Sequence, residues 1–346
     1  MKKWICLLLL LCFTAMPVRA LDITAPTVPD SAQEYMPHDT QSFAEGVVYV
    51  FQRAVGKFLP EIKEACKSCI CVIFISLLIS LLGSYPGNIQ TTAEMAGVIA
   101  VGVLLMGTTG TLISSAKETI RELSDYGKLL LPVMTAALAA QGGTATSGAL
   151  YAGTAFFDAL ISALLNNIIV PIVYMYLFLS IAGGALGNEL LKRIRDFVKW
   201  LATWSLKTIL YIFTGYISIT GVVSGATDHA AMKATKLTIS GAVPVVGGIL
   251  SDASEAILVG AGMVKSAAGT YGLLAVMAIF IGPFIKIGVQ YLLLRLSAAL
   301  CSVFGNKGIS GIIDDFACAM GLLLGMTGAV CLLLIISTVC FLKGVS

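Results

Sequence analysis

The chain has 346 residues, of which 58% are hydrophobic and only 12% charged, and its formal net charge is +3. Soluble domains carry about 25% charged residues, so the composition excludes an ordinary soluble domain and places the chain among polytopic membrane proteins. The small net charge, with no basic stripe interleaved with aromatics, excludes nucleic acid as a partner.

In chain order, "MKKWICLLLLLCFTAMPVRA" opens with Lys2 and Lys3, continues as a short apolar core and closes on Val18-Arg19-Ala20. That is the pattern of a secretory signal peptide over residues 1–20. A retained first helix would equally leave residue 21 outside the cytoplasm. Residues 21–65 are expected to form an extracytoplasmic arm. Its first part is polar and proline-rich, and Phe43, Val47, Phe51, Val55 and Phe58 then recur at helical spacing to predict an amphipathic helix.

Residues 66–346 carry the uncharged runs of a membrane domain. The first is 68–93 and the second is 95–116, each long enough for a hydrocarbon core that needs about 20 residues. Residues 117–128, "KETIRELSDYGK", balance three basic against three acidic side chains, as a surface helix does. Asp158 interrupts the next apolar region. The densest basic cluster follows, with Lys192, Arg193, Arg195 and Lys199, and the positive-inside rule turns it to the cytoplasm. Further uncharged runs cover 208–227, 266–285 and 316–342. Six to eight spans are expected in all.

Two stretches are similar to one another. Pro132-Val133 begins one and Pro244-Val245 begins the other, and each is followed 39 positions later by a second proline, Pro171 and Pro283. At the constant offset of 112, residues 132–179 contain nine identities in 48. Downstream, "LGN" at 186–188 answers "FGN" at 304–306, and "IRDF" at 194–197 answers "IDDF" at 313–316. The expected fold is therefore all-α: a polytopic helical bundle with two Gly/Pro-interrupted modules, about 132–225 and 244–341. Such modules point to a central site of broken helices, with the repeat parallel or inverted. Asp158, Asp252, Glu255, Lys265 and Lys286 are the candidate intramembrane polar residues, because ionisable groups are costly there. A solvated surface helix over 244–264 is the alternative, and Lys286 can also snorkel from a helix end. Pro132, Pro171, Pro244 and Pro283 are the candidate structural breaks.

No phosphate-binding GxxxxGK[ST], HExxH or GxSxG occurs, so no catalytic residue, ATP site or other cofactor is expected. Cys66, Cys69 and Cys71 imitate a metal spacing but lack a fourth ligand nearby, and no metal is expected.

Residues 239–272, "ISGAVPVVGGILSDASEAILVGAGMVKSAAGTYG", then 282–301, "GPFIKIGVQYLLLRLSAALC", resemble the signature region of the stage III sporulation protein AE family of endospore-forming bacteria. "LLLPVMTAALAAQGGTATSGALY" (129–151) is similar to that family's earlier Pro-led stretch. The resemblance covers essentially the whole chain. It implies a component of a channel-like complex between mother cell and forespore, set in the mother-cell membrane around the forespore. The implied partners are a cytoplasmic ATPase, small membrane proteins and ring-forming proteins, with a homo-oligomer also open. A self-contained secondary transporter, or a structural scaffold that anchors a ring, are the competing expectations.

Overall fold

The computed structural model describes residues 26–37, 43–57, 59–82, 88–140, 144–219, 267–304 and 307–343. Residues 1–20, Pro244, Asp252, Glu255 and Lys265 lie outside the described residues. The described elements are α1 (Asp30–Gln33), α2 (Phe43–Gly56), α3 (Leu59–Leu82), α4 (Asn88–Ala140), α5 (Thr144–Leu164), a π-helical segment (Leu165–Ile169), α6 (Val170–Leu186), α7 (Glu189–Ile219), α8 (Ala267–Val303) and α9 (Lys307–Lys343). No strand occurs among the described residues. Among the described residues five apolar stretches are long enough to cross a membrane: Ala65–Leu82, Thr91–Ala137, Tyr151–Leu186, Gly269–Val303 and Lys307–Leu342. A lipid-embedded backbone must bond within its own segment, which selects helices for such sequences.

A helix that is apolar all round belongs in a core or a membrane, and burial separates the two. In the most apolar 18 residues of Lys307–Leu342, 94% are buried, whereas only 22% of Ala65–Leu82 are. Thus α9 is the axis of the bundle and α3 lies at its edge. α9 packs most extensively on α8 and α4.

Contacts fix the direction of each helix. At one end Gly184 faces Ile312, and Ser80 Oγ donates to the Phe304 carbonyl at 3.0 Å. At the other end Ser124 bonds Asp158, Phe157 meets Phe213, Gly127 lies under Leu334 and Gly272 under Leu130. The α5–α6 rod and α8 therefore run the same way, and α7 and α9 return antiparallel to them.

The expected span at 95–116 and surface helix at 117–128 are one continuous helix, α4, of 53 residues, about 80 Å long at 1.5 Å per residue. Nothing in 117–128 breaks it. Ala116, Ile120, Leu123, Ser124 and Gly127 face the bundle, while Lys117, Glu118, Arg121, Asp125 and Lys128 point away from it. Asp125 pairs with Lys128 at 2.7 Å and with Arg121 at 3.7 Å. Pro132 sits on the exposed side near the end of α4, where the lost hydrogen bond is tolerated and the helix continues to Ala140.

α2 packs on α8, but its buried seam is Phe43, Gly46, Val50 and Ala54, and Phe51 and Val55 of the expected stripe are exposed. A Cβ at Gly46 would lie 2.6 Å from Leu274. The small residues let two backbones approach, and that closeness selects the face. α7 is amphipathic over 31 residues. Val198, Ala202, Leu206, Ile209 and Phe213 face the bundle, and Phe197, Trp200 and Trp204 form an outward stack with centroids 5.8 and 6.0 Å apart.

The α6–α7 turn explains the "LGN" motif. Gly187 adopts φ 62°, a left-handed conformation that favours glycine and ends α6. Asn188 Oδ1 then accepts from the Leu190 amide at 2.8 Å, as an N-cap does for the next helix.

Candidate functional site at the buried polar groups

Among the nominated residues that the structure describes, Asp158 is the ionisable group held deepest in the bundle. It is 3% exposed on α5, and its Oδ2 accepts from Ser124 Oγ of α4 at 2.8 Å. Its Oδ1 has no partner among the described residues. Thr154 Oγ1, one turn earlier, and Asn166 Oδ1, in the π-helical segment, are likewise buried without a partner. An isolated buried polar atom costs about 1–3 kcal/mol, so this face of α5 concentrates unpaired polarity.

The π-helical segment ends two residues before Pro171, which occupies the first turn of α6. Proline has no N–H to give the preceding turn and its ring clashes with it, and a local widening of the helix accommodates both. Pro283 is inside α8. It borders a cavity that Lys286 also lines. Pro132, Pro171, Pro283 and Asp158 lie on four different helices.

Among the described residues the densest polar centre lies at Asp315, which was not nominated. Asp315, on α9, accepts from Tyr176 Oη at 2.9 Å, Ser180 Oγ at 2.5 Å and Arg195 Nη1 at 2.7 Å. Tyr176 and Ser180 are one turn apart on α6, and Arg195 comes from α7. The side chains of Arg195 and Asp315 are 22% and 13% exposed. Burial alone would favour the neutral guanidine, but the carboxylates of Asp315 and Asp196 outweigh it and raise the Arg195 pKa above its ordinary value. The neighbouring Asp314 pairs with Arg295 of α8, whose guanidinium lies 5.5 Å from the Tyr291 ring. Adjacent carboxylates thus tie α9 to α6 and α7 on one side and to α8 on the other.

The available sequence signal was the pairing of "IRDF" with "IDDF". The structure places Arg195 against Asp315 at one end of the bundle, where opposite charges attract.

Glu189 is fully exposed, and the hydrogen bond and charge of Lys192 lower its pKa. Among the described residues no group of three His, Cys, Asp or Glu is placed to hold a metal. Cys69 is buried and Cys71 exposed, so these neighbours in sequence point to different surroundings.

A buried axial helix, surrounded by long apolar helices and tied by ion pairs at one end, defines a multi-pass helical membrane protein. The chain belongs to the stage III sporulation protein AE (spore_III_AE) family, whose profile it matches over residues 33–344. It is similar to the stage III sporulation protein AE of Bacillus subtilis (strain 168), with 23% identity over 212 residues. That match covers 61% of this chain and 53% of the relative, so the chain spans about half the length of the curated relative. No solved structure matches the chain.

Proposed function

We propose that this protein is a membrane-embedded component of a channel or secretion complex between mother cell and forespore, supporting forespore development after engulfment. The observation that carries this reading is the family match over residues 33–344. The bundle is compatible with a part in an assembly: its long helices expose much apolar surface for lipid or neighbouring subunits, and its polar ties serve architecture rather than catalysis. The partners proposed are an ATPase, ring-forming proteins and small membrane proteins of the same complex. Purification of the intact assembly from sporulating cells tests this. A channel component retains the ATPase and ring proteins through mild detergent, whereas recovery as a lone monomer or dimer that moves a solute in liposomes defeats the proposal.

That second outcome is the secondary-transporter reading, and the common direction of the α5–α7 and α8–α9 hairpins favours it. We infer that these hairpins descend from one duplicated unit and that the repeat is parallel. An experimental structure covering 244–266 checks this. Residues 132–225 should superpose on 244–341, with Pro132 over Pro244 and Pro171 over Pro283. A different helix order in the two halves would remove the repeat.

A further inference from the structure

Among the described residues four buried side-chain atoms lack a hydrogen-bond partner, and all four are oxygens on α4, α5 or the π-helical segment: Tyr126 Oη, Thr154 Oγ1, Asp158 Oδ1 and Asn166 Oδ1. Two of them stand together. Thr154 and Asp158 are one turn apart on the buried seam of α5, which Ile161 and Leu165 continue, and neither is more than 3% exposed. Side chains at that spacing are neighbours, with Cβ atoms about 5–6 Å apart. Ser124 of α4 joins them: its hydroxyl hydrogen goes to Asp158 Oδ2 at 2.8 Å, and its oxygen lone pairs stay available. Asn166 lies roughly 12 Å further along the helix, and Tyr126, two residues from Ser124, is on another face of α4.

The unmet demand of these groups defines a ligand class. Hydroxyls within helices commonly return their hydrogen to the carbonyl four residues back, as Thr119, Thr135, Thr203 and Thr327 do at 2.7–3.0 Å. Thr154 makes no such bond. An ionised carboxylate can only accept. Asp158 is the one charged residue between Lys128 and Glu189 in the sequence, and it forms no ion pair with a described residue. The charges of α4 that act on it, Lys128 and Asp125, bond each other at 2.7 Å on the outer side of that helix. The three side chains therefore lack a positive partner. A carboxylate with two hydroxyls is a set of hard oxygen donors, which suits alkali and alkaline-earth ions rather than zinc or copper. One carboxylate balances one positive charge, and the surplus charge of a divalent ion would be costly in so buried a place.

We propose that Asp158, Thr154 and Ser124 bind a monovalent metal cation between α4 and α5, the ion supplying the counter-charge that Asp158 otherwise lacks. The site does not depend on which assembly the protein joins. Full-length protein in detergent is tested with radioactive sodium, with choline holding the ionic strength constant and with lithium, potassium and calcium as competitors. Sodium should bind saturably and be displaced by lithium or potassium more readily than by calcium. Sodium should also raise the thermal stability of the wild type above its value in choline, because a ligand that binds the folded state alone stabilises it. Asp158→Asn and Thr154→Val should each weaken sodium binding about tenfold or more, while Thr154→Ser retains it. Where Asp158→Asn fails to fold, as elution and helical circular dichroism reveal, Thr154→Val and Ser124→Ala still test the site, because both keep the carboxylate. Wild type that binds no more sodium than its choline control has a bridging water or a protonated carboxylate instead, and that result overturns the proposal. Folded Thr154→Val and Ser124→Ala variants that both bind as wild type does, or calcium binding tighter than sodium, overturn it equally.

Discussion

Asp315 gathers three donors from two helices, and its removal leaves the Arg195 guanidinium mostly buried without its main carboxylate. Breaking one partner of a buried ion pair costs about 3–5 kcal/mol, more than the intact pair contributes, because the remaining charge stays desolvated. Asp315→Ala should therefore lower the thermal stability of the purified protein by an amount of that order. The double variant Arg195→Ala, Asp315→Ala should lose less than the two single variants added together, since no unpaired cation is left. Additive losses would show that the two side chains do not interact. Breaking an exposed pair such as Lys192 with Glu189 should leave thermal stability essentially unchanged, because solvent screens both charges. The sequence displayed Arg195 and Asp315 as charges beside apolar runs. Which charge met which depended on helix directions that no local pattern encodes.

Close approach between helices is set by glycines whose neighbours occupy the missing side chain's space. A Cβ on Gly184 of α6 would lie 2.7 and 3.0 Å from Ile312 of α9 and 3.4 Å from Val98 of α4. Isoleucine is β-branched and stiff about χ1, so it yields little. Gly184→Ala should destabilise the bundle by about 1–3 kcal/mol through overpacking, although alanine is the better helix former by about 1 kcal/mol. Gly107 of α4 has open space around it, and Gly107→Ala should be neutral or stabilising. Thermal denaturation of the two variants side by side checks the contrast, and equal behaviour would rule out close packing at Gly184. Composition showed that small residues are plentiful in these helices. Only the packed structure distinguishes the glycine held between three helices from the one with open space around it.

At the scale of the whole molecule, α4 spans about 80 Å against a hydrocarbon core of about 30 Å. One straight helix of that length cannot lie wholly within lipid. Its charged middle, 117–128, begins about 30 Å along the helix from Val98, which lies beside Gly184 near the α6–α7 turn. With the basic cluster at the cytoplasmic face, as the positive-inside rule predicts, Arg121 then belongs to the opposite side. Membrane-impermeant thiol reagents should label Arg121→Cys in a cysteine-free background from outside the cytoplasm, and Lys192→Cys only from within. Labelling of both from one side would reverse or discard this placement.

The sequence by itself determined the class. Its apolar runs exceed what a soluble chain can bury, and its stretches at 129–151, 239–272 and 282–301 were sufficient to point to the family. Helix existence was legible for the same reason, since a backbone in lipid must satisfy its own hydrogen bonds. Helix extent was not: 117–128 reads as a surface helix until its buried face, Ala116, Ile120, Leu123, Ser124 and Gly127, is seen to carry the apolar seam straight through. Asp158 was visible as a charge among apolar residues, but its partner Ser124 lies 34 positions away on another helix. Which apolar helix is the axis, which face of α2 is buried and which carboxylate holds Arg195 were decided by tertiary structure alone. Hydropathy measures preference for an apolar environment and does not distinguish lipid from protein, so only the packing of neighbours separates α9 from α3.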